Sequence, residues 1–394
     1  MILADRSLEL HLRGHVRFGV GGLATLPELV REAGAERVFV VSDPGVVRSG
    51  VTAQVVEVLE VAGLTTRLFD AIEPNPGTTT VIRGSVELAE FGLDGTVVVP
   101  VGGGSSMDAA KVMSLHAANG GDVLALGYHR DDLLDGLPVV AIPTTAGTGA
   151  ETNTYGVITD EAAGRKAYVG HPSVLPRWSL LDPALTVGVP PTATAATGVD
   201  AMTHSLESLL SRNPNPFAEA IALHVIRTVR ESLPRAYHDG ADLEARSQLL
   251  MASHLAGIGQ QSGTGVGLVH ALGHAIGTRG QLPHGLALAV IEPEVLAFYA
   301  DEPGLRDREL HLVGVALGAA SPTETPATGS IAAIGALRGF LAELGLRPTL
   351  SSLDFDDAKL DLVAQDAIDD AAISNSPRLP SFEQARAILA SVVG

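Results

Sequence analysis

The sequence predicts two domains: a doubly wound α/β domain over residues 1–185 and an all-helical domain over residues 186–394. Three observations support this prediction. The chain has 394 residues, more than a single hydrophobic core usually spans. In the first half, short β-branched runs alternate with amphipathic stretches. From about residue 186 the β-branched runs stop, and only helical patterns interrupted by Pro and Gly follow.

Four apolar runs in the first half are predicted to be buried parallel strands, because they lack the alternation of a sheet with one face in water. They comprise residues 37–43, 65–70, 96–102 and 138–144. The amphipathic stretches 25–34 and 51–63 have the spacing of the crossover helices that connect such strands. We therefore expect a ligand cleft at the carboxyl ends of the strands, between the two domains.

Composition argues against several classes of protein. The 45 acidic residues outnumber the 26 basic ones, the formal charge is −19, and no Lys/Arg-rich block occurs, so nucleic-acid binding is not expected. The absence of cysteine excludes a disulfide framework, a thiolate metal site and a cysteine nucleophile. The sequence shows no signal-peptide pattern and no run of about 18 apolar residues, which predicts a cytoplasmic protein that does not enter a membrane.

A phosphate site is predicted where a buried strand meets a glycine loop. The predicted site runs from Gly102 to Ser106, at the end of the strand at 96–102, and includes Gly102, Gly103, Gly104 and Ser105. Glycines let the backbone approach a pyrophosphate closely, and a helix expected to begin near Met107 offers free N–H groups. The alternative is a tight strand-to-helix turn without a ligand.

A second glycine motif, GVGGLA at 19–24, formally fits the dinucleotide-binding pattern better, with Asp43 at a suitable distance downstream. However, the preceding segment LHLRGHVRF alternates polar and apolar residues. That alternation is typical of a half-exposed hairpin strand rather than of a buried parallel strand. We therefore interpret residues 19–24 as a turn.

Two further positions after strands are candidates for cofactor contacts. Asp43 ends a predicted strand, where its carboxylate could accept hydrogen bonds from an adenosine ribose and repel a 2′-phosphate, which favours NAD over NADP. Turn or helix-cap chemistry before Pro44 explains Asp43 equally well. The loop at 143–151 carries three hydroxyl side chains that can bind phosphate, ribose or the nicotinamide amide: Thr144, Thr145 and Thr148.

The second half contains a carboxylate and several histidines with the spacing of a metal site. Asp200 and His204 are four residues apart on a predicted helix, so their side chains project from one face. His270 and His274 repeat this spacing, and His284 follows in a short loop. Carboxylate and imidazole ligands without thiolate favour Fe²⁺ or Zn²⁺. The spacing does not decide between His270 and His274. Other histidines, including His254, are interpreted as ordinary residues.

Several of these motifs together resemble the iron-containing (group III) alcohol dehydrogenase family. They are GGGSSMDAAK, AIPTTAGTGAE, GVDAMTHSLE and GLVHALGHAIG followed by LPHG, and the similarity runs from about residue 12 to 394. The resemblance implies a Rossmann-like N-terminal domain and a helical C-terminal domain, an architecture shared with dehydroquinate synthase. It implies metal ligation by Asp200, His204, His270 and His284, and proton transfer by His274. It implies cofactor contacts at Asp43, Asn75, Gly103, Gly104, Ser105, Thr144, Thr145, Thr148 and Lys166.

The resemblance also implies an activity: hydride transfer between a nicotinamide cofactor, NAD in preference to NADP, and a primary alcohol or aldehyde. A homodimer is expected. The segments GRKAYVGHPSVLP and LPH also resemble maleylacetate reductases, which typically lack the aspartate ligand, whereas Asp200 is present here. A maleylacetate-type or glycerol-type reductase is therefore the alternative enzyme. A nucleotide-binding sensor is the alternative that is not an enzyme.

An acidic substrate is a further expectation. Arg279 lies between His274 and His284, so its guanidinium is predicted to enter the pocket beside the metal. A guanidinium there would favour a substrate with a carboxylate or phosphonate group, such as a semialdehyde. The alternative is that Arg279 extends from a surface loop into water.

Overall fold

The computed structural model describes residues 14–127, 130–346, 350 and 355–393. The chain divides into two compact units. The first, called the α/β unit below, contains residues 14–190 and 240–254. The second, called the helical unit, contains residues 191–239 and the described residues from 255 onward. A search of the described helices finds none that is long and apolar enough to cross a membrane.

The α/β unit contains all eight described strands. In chain order they are β1 (His15–Phe18), β2 (Arg37–Ser42), β3 (Thr65–Phe69), β4 (Thr96–Gly102), β5 (Val140–Pro143), β6 (Tyr155–Asp160), β7 (Arg165–Gly170) and β8 (Trp178–Leu181). Six of them form a sheet in the order β1-β8-β5-β4-β2-β3, in which every pair is parallel. β6 and β7 form a separate antiparallel pair. The predicted parallel strands β2 to β5 are confirmed, but β3 is not a buried strand: it lies at the sheet edge, and only Phe69 of its five residues is buried.

The described residues contain fourteen α-helices. Those of the first half are α1 (Leu26–Glu32), α2 (Pro44–Arg48), α3 (Val51–Val61), α4 (Thr78–Phe91) and α5 (Gly104–Asn119). The second half contains α6 (Pro191–Leu210), α7 (Pro216–His238), α8 (Leu243–Gly259), α9 (Leu268–Gly280), α10 (His284–Ala300), α11 (Asp307–Ala316), α12 (Pro326–Glu343), α13 (Asp357–Asp369) and α14 (Phe382–Ala390). The predicted α/β half followed by a helical half is confirmed.

Helices cover both faces of the six-stranded sheet, as a doubly wound fold requires. On one face, Leu26 of α1 and Val55 of α3 belong to a buried apolar cluster with Val99 of β4. On the opposite face, Met113 of α5 belongs to a second cluster with Phe39 of β2. All seven residues of β4 are buried, which explains why its sequence is continuously apolar.

Two details of the fold differ from the sequence-based expectations. β1 is a parallel strand at the sheet edge, paired with β8, and not a hairpin strand. The alternation does not mark a buried face, since both apolar residues, Val16 and Phe18, are exposed at that edge. Helix α5 begins at Gly104 rather than near Met107, because the N–H of Met107 already donates to the carbonyl of Gly103 (3.1 Å).

The glycine motif at 19–24 forms a turn and a short 3₁₀ helix, as predicted. Its free backbone N–H groups bind an anion supplied by the protein itself. The buried carboxylate of Asp182 accepts hydrogen bonds from the N–H groups of Gly21 and Leu23, each at 3.1 Å. The same carboxylate accepts from Ala184 (3.1 Å). An internal carboxylate therefore takes the place that a nucleotide phosphate would need.

Candidate active site

Three helices of the helical unit bring the predicted metal ligands together. α6 carries Asp200 and His204 one turn apart, α9 carries His270, and His284 is the first residue of α10 rather than part of a loop. Oδ1 of Asp200 lies 3.6 Å from Nδ1 of His204, 3.6 Å from Nε2 of His270 and 3.5 Å from Nε2 of His284. One carboxylate oxygen thus faces a ring nitrogen of all three histidines.

A close helix contact sets the position of His284. A Cβ atom on Gly285 would lie 2.0 Å from the carbonyl oxygen of Ala196 on α6. Any larger residue would therefore push the start of α10 away from α6. The LPHG motif combines the histidine with the glycine that allows its helix to approach Asp200.

Asp200, His270 and His284 fit a metal ion. Each offers one ligand atom within 4.8 Å of the others. Oδ1 of Asp200 and Nε2 of His270 are buried and have no hydrogen-bond partner among the described residues, as expected for atoms that face a cation. The fourth predicted ligand, His204, lies beside this group, with its ring centroid 4.6 Å from that of His270. A carboxylate with imidazoles suits a divalent transition metal.

Glu207, which the sequence did not single out, orients His270. Its Oε2 lies 2.6 Å from Nδ1 of His270, and since a carboxylate only accepts, Nδ1 is the donor. Glu207 also accepts hydrogen bonds from the N–H groups of Gly267 (2.9 Å) and Val269 (2.6 Å) at the start of α9. One buried carboxylate therefore holds the helix start and turns Nε2 of His270 toward Asp200.

The charges in this pocket put two ligands in their binding forms. Burial alone would raise the pKa of Asp200, but His204, His284 and His270 hold it well below its usual range. Burial, together with the neighbouring imidazoles, lowers the pKa of His284 well below its ordinary value despite the attraction of Asp200. At neutral pH Asp200 is therefore a carboxylate and His284 a neutral imidazole, which are the forms that bind metal. Burial acts to lower the pKa of His270, but the carboxylates of Asp200 and Glu207 raise it to about 10, so metal binding to His270 would release a proton.

His274 lies beside this group and has its own carboxylate partner. Its Nδ1 lies 2.8 Å from Oδ2 of Asp370, and its ring stacks on that of His284 with centroids 5.3 Å apart. Asp370 in turn accepts from the N–H of Ala372 (2.8 Å). Burial acts to raise the pKa of Asp370, but the hydrogen bond and charge of His274 lower it. Asp370 thus fixes the ring of His274 and leaves Nε2 as its second polar atom.

In the α/β unit, the glycine loop and the threonine loop meet. Gly102 has φ 157°, and a Cβ atom there would lie 2.8 Å from Cβ of Ser106. A Cβ on Gly103 would lie 3.1 Å from Oγ1 of Thr145, and one on Gly104 would lie 2.7 Å from Cγ2 of Thr148. The glycines are therefore needed for this packing as well as for any phosphate. Next to them, the N–H of Thr144 donates to the carbonyl of Gly102 (2.9 Å).

Asp43 caps a helix and keeps one oxygen available. Its Oδ1 accepts from the N–H groups of Gly45 (2.8 Å) and Val46 (3.0 Å), so the capping interpretation is confirmed. Its Oδ2 lies 3.5 Å from Oγ of Ser106, beside the glycine loop. Capping and ribose binding use different oxygens and are compatible.

Asn75 and Lys166 contact each other. Nζ of Lys166, on β7, donates to Oδ1 of Asn75 (2.6 Å). Asn75 has φ 57°, and its N–H donates to Oγ of Ser105 (3.3 Å). Burial lowers the pKa of Lys166 to about 8, against the attraction of Asp108. Hydrogen bonds therefore connect Lys166, Asn75 and Ser105, three residues predicted to contact the cofactor.

Two other expectations change. Arg279 lies within α9, where its Nε donates to Oδ2 of Asp366 (2.7 Å) and its Nη2 lies 3.2 Å from Oδ1. Its guanidinium is thus already bound by a carboxylate, which argues against a role in binding an acidic substrate. His254, expected to be an ordinary residue, has its Nδ1 3.0 Å from the buried Oε1 of Glu151, in the α/β unit.

Comparison with known proteins identifies the family. The profile "Iron-containing alcohol dehydrogenase" matches residues 14–183, and the profile "Fe-containing alcohol dehydrogenase family, C-terminal" matches residues 194–393. The probable alcohol dehydrogenase EutG of Escherichia coli strain K12 is 36% identical over 93% of this chain and 90% of its own length. The lactaldehyde reductase of the same strain is 31% identical over 93% of this chain and 94% of its own length.

Solved structures agree. A 1,3-propanediol oxidoreductase superposes with a TM-score of 0.91 at 28% identity, covering 98% of this chain and 100% of its own. An iron-containing alcohol dehydrogenase from Thermotoga maritima gives a TM-score of 0.86 at 28% identity, with coverages of 98% and 100%. The chain therefore belongs to the iron-containing alcohol dehydrogenase family.

Proposed function

We propose that this family member transfers hydride between NAD(H) and a small, uncharged primary alcohol or aldehyde, using Fe²⁺ or Zn²⁺ held by Asp200, His204, His270 and His284. The observation that supports the metal centre most directly is the convergence of three histidines on Oδ1 of Asp200, at 3.5 to 3.6 Å. A divalent metal at such a centre acts as a Lewis acid, lowering the pKa of an alcohol and polarising a carbonyl.

The protein's own side chains supply charge, orientation and a proton path. Asp200 brings a full negative charge to the ligand set. Glu207 fixes the tautomer and direction of His270, as a carboxylate behind a ligating histidine commonly does. His274, held by Asp370, offers Nε2 as the atom that takes the proton from the alcohol in oxidation and returns it in reduction.

The α/β unit carries the proposed nucleotide site. Gly102, Gly103 and Gly104 lie at the start of α5, where the first N–H groups of the helix would bind a pyrophosphate. Ser105, Thr144, Thr145 and Thr148 supply polar groups around that loop, and Asn75 with Lys166 continues the group through Ser105. The remaining oxygen of Asp43 would accept from the adenosine ribose and repel a 2′-phosphate, which favours NAD.

The pairing of Arg279 with Asp366 removes the reason for expecting an acidic substrate, so we propose an uncharged one. The names of two relatives support this choice, since one is a lactaldehyde reductase and another is the NAD-dependent methanol dehydrogenase of Bacillus methanolicus. A homodimer stays a prediction from the family resemblance, and a cytoplasmic location stays a prediction from the sequence. Light scattering of the purified protein tests the dimer.

Reconstitution tests the proposal. Metal-free protein is loaded with Fe²⁺ or Zn²⁺ and assayed with NADH on aldehydes of equal length, with and without a carboxylate. We expect turnover only after loading, with the neutral aldehydes favoured. His270→Ala should lose both metal and turnover, whereas His224→Ala, which removes an exposed histidine on α7, should keep both. Turnover by metal-free protein, or full metal content in His270→Ala, would contradict the metal centre.

A further inference from the structure

Glu292 on α10 is a buried acid without a partner. The residue has no exposed surface, and neither carboxyl oxygen has a hydrogen-bond partner in the described part of the chain. Its polar neighbour is Thr203 on α6, but the Thr203 hydroxyl donates to the carbonyl of Val199 (2.9 Å). A buried carboxyl without hydrogen bonds is costly, and proteins retain few such groups without a reason.

The charges that act on Glu292 are those of the candidate metal centre. Burial, together with the nearby carboxylates of Glu207 and Asp200, raises its pKa to about 8, although Thr203 and His270 act to lower it. The next acid on the same helix is different: Glu294 is paired with the guanidinium of Arg338 at 3.0 Å. Across the described residues, no lysine or arginine pairs with Glu292.

We propose that Glu292 is a charge-balancing residue of the metal centre, whose carboxylate strengthens retention of a divalent cation without ligating it. This inference rests on the proposed metal site. Asp200 and Glu207 supply two negative charges to the buried cluster, which match a divalent cation. Glu292 adds a third acid that the protein leaves without a cationic partner, so the bound ion is the positive charge that stabilises its ionised form. Coulomb attraction acts over several ångströms in such an interior because water screens it little.

This role predicts opposite effects on the metal-free and metal-loaded protein. Glu292→Gln keeps the shape of the side chain and removes the charge. In the metal-free protein the variant should melt at the same or a higher temperature, because an uncompensated acid has been removed. With metal, the rise in Tm should be smaller than in the wild type. The dissociation constant for Zn²⁺, measured by chelator competition, should increase on the order of tenfold or more, as for other groups just outside a ligand set.

Glu294→Gln is the matched control, because it removes one acid from the same helix at a position already neutralised by Arg338. It should leave Zn²⁺ affinity within about twofold of the wild type. Glu292→Leu is a second variant that removes the charge without leaving a buried amide, and it should weaken Zn²⁺ binding as Glu292→Gln does.

Two results would overturn the inference while leaving the metal site intact: wild-type Zn²⁺ affinity in both Glu292 variants, or a loss of affinity in Glu294→Gln equal to theirs. A metal-free Tm lowered in both Glu292 variants, without a change in affinity, would assign Glu292 a purely structural role. Failure of the wild type itself to bind Zn²⁺ or Fe²⁺ would instead contradict the proposed function, and the inference with it.

Discussion

Three carboxylates, those of Asp43, Glu207 and Asp370, each contact both the backbone and a candidate site group. Asp43 caps α2 with one oxygen and turns the other toward the glycine loop. Glu207 accepts from the first N–H groups of α9 and from His270. Asp370 accepts from the N–H of Ala372 and from His274. These side chains therefore have two roles: they accept hydrogen bonds from the backbone at the start of a helix or turn, and they contact the groups proposed for binding and proton transfer. A useful substitution removes one role and keeps the other.

Asp43→Ser separates capping from charge. Serine caps a helix about as well as aspartate, so α2 should be retained and Tm should change little. The lost charge should remove repulsion of a 2′-phosphate, so the ratio of kcat/KM for NADH to that for NADPH should fall, on the order of tenfold. Asp122→Ser is the control, because Asp122 caps the 3₁₀ turn Val123–Ala125 without facing the glycine loop. An unchanged ratio in a folded Asp43→Ser variant would leave Asp43 as a cap alone.

His274→Ala tests the proton path independently of the metal. The variant should retain metal, because His274 is outside the proposed ligand set, while kcat should fall on the order of 100-fold. Added imidazole should restore part of kcat by supplying the missing base. Metal analysis and steady-state kinetics on the same preparation give both quantities. Equal metal loss in His274→Ala and His270→Ala would instead place His274 among the ligands.

At the scale of elements, the sequence predicts what is local and continuous. β2, β4 and β5 are recognisable because burial on both faces requires unbroken apolar runs. The short apolar sequence of β8 is interrupted by Ser179, and the hairpin of β6 and β7 is largely half-buried, so neither gives a clear apolar run. Likewise, the four-residue spacing of Asp200 and His204 identifies a shared helix face.

The partners of the candidate site groups are not local. Glu207 is 63 residues from His270, and Asp370 is 96 residues from His274. No periodicity links such positions, and the pairings exist only because α6, α9 and the turn at Ala371–Asn375 pack together. Arg279 illustrates the reverse error. Its spacing from the histidines suggested a pocket, but Asp366 on α13 binds its guanidinium.

Weakening the hydrogen bonds at the start of α9 should lower the affinity for the metal. Glu207→Gln keeps the shape but weakens the charge-assisted hydrogen bonds to Gly267, Val269 and His270. We expect Zn²⁺ affinity to fall by about 10- to 100-fold and the free energy of unfolding by about 1 kcal/mol. Chelator competition and urea unfolding measure the two effects. Glu219→Gln is the control, because Glu219 lies in the first turn of α7 and is paired with Arg308. It should leave Zn²⁺ affinity within about twofold of the wild type and the free energy of unfolding almost unchanged.

At the scale of the molecule, the chain crosses between its two units more than once. The segment 240–254, which begins α8, belongs to the α/β unit, although its sequence is as helical as its surroundings. One contact that joins the segment to the α/β unit is made by His254, near the end of the segment, whose Nδ1 lies 3.0 Å from Oε1 of Glu151 in the threonine loop. A domain boundary placed where the strands end along the sequence cannot show that a later helical segment packs with the first domain.

The two units should respond separately to the two ligands, because the proposed metal ligands all belong to the helical unit and the proposed nucleotide contacts to the α/β unit. When a ligand binds, amide hydrogen exchange slows in the part of the backbone that the ligand stabilises. Zn²⁺ should therefore slow amide exchange at the start of α9 and of α10, and NAD should slow it around Gly103 and Thr145. His270→Ala should abolish the metal effect and retain the NAD effect. Zn²⁺ protection centred on the glycine loop, or its persistence in His270→Ala, would show that the metal binds elsewhere.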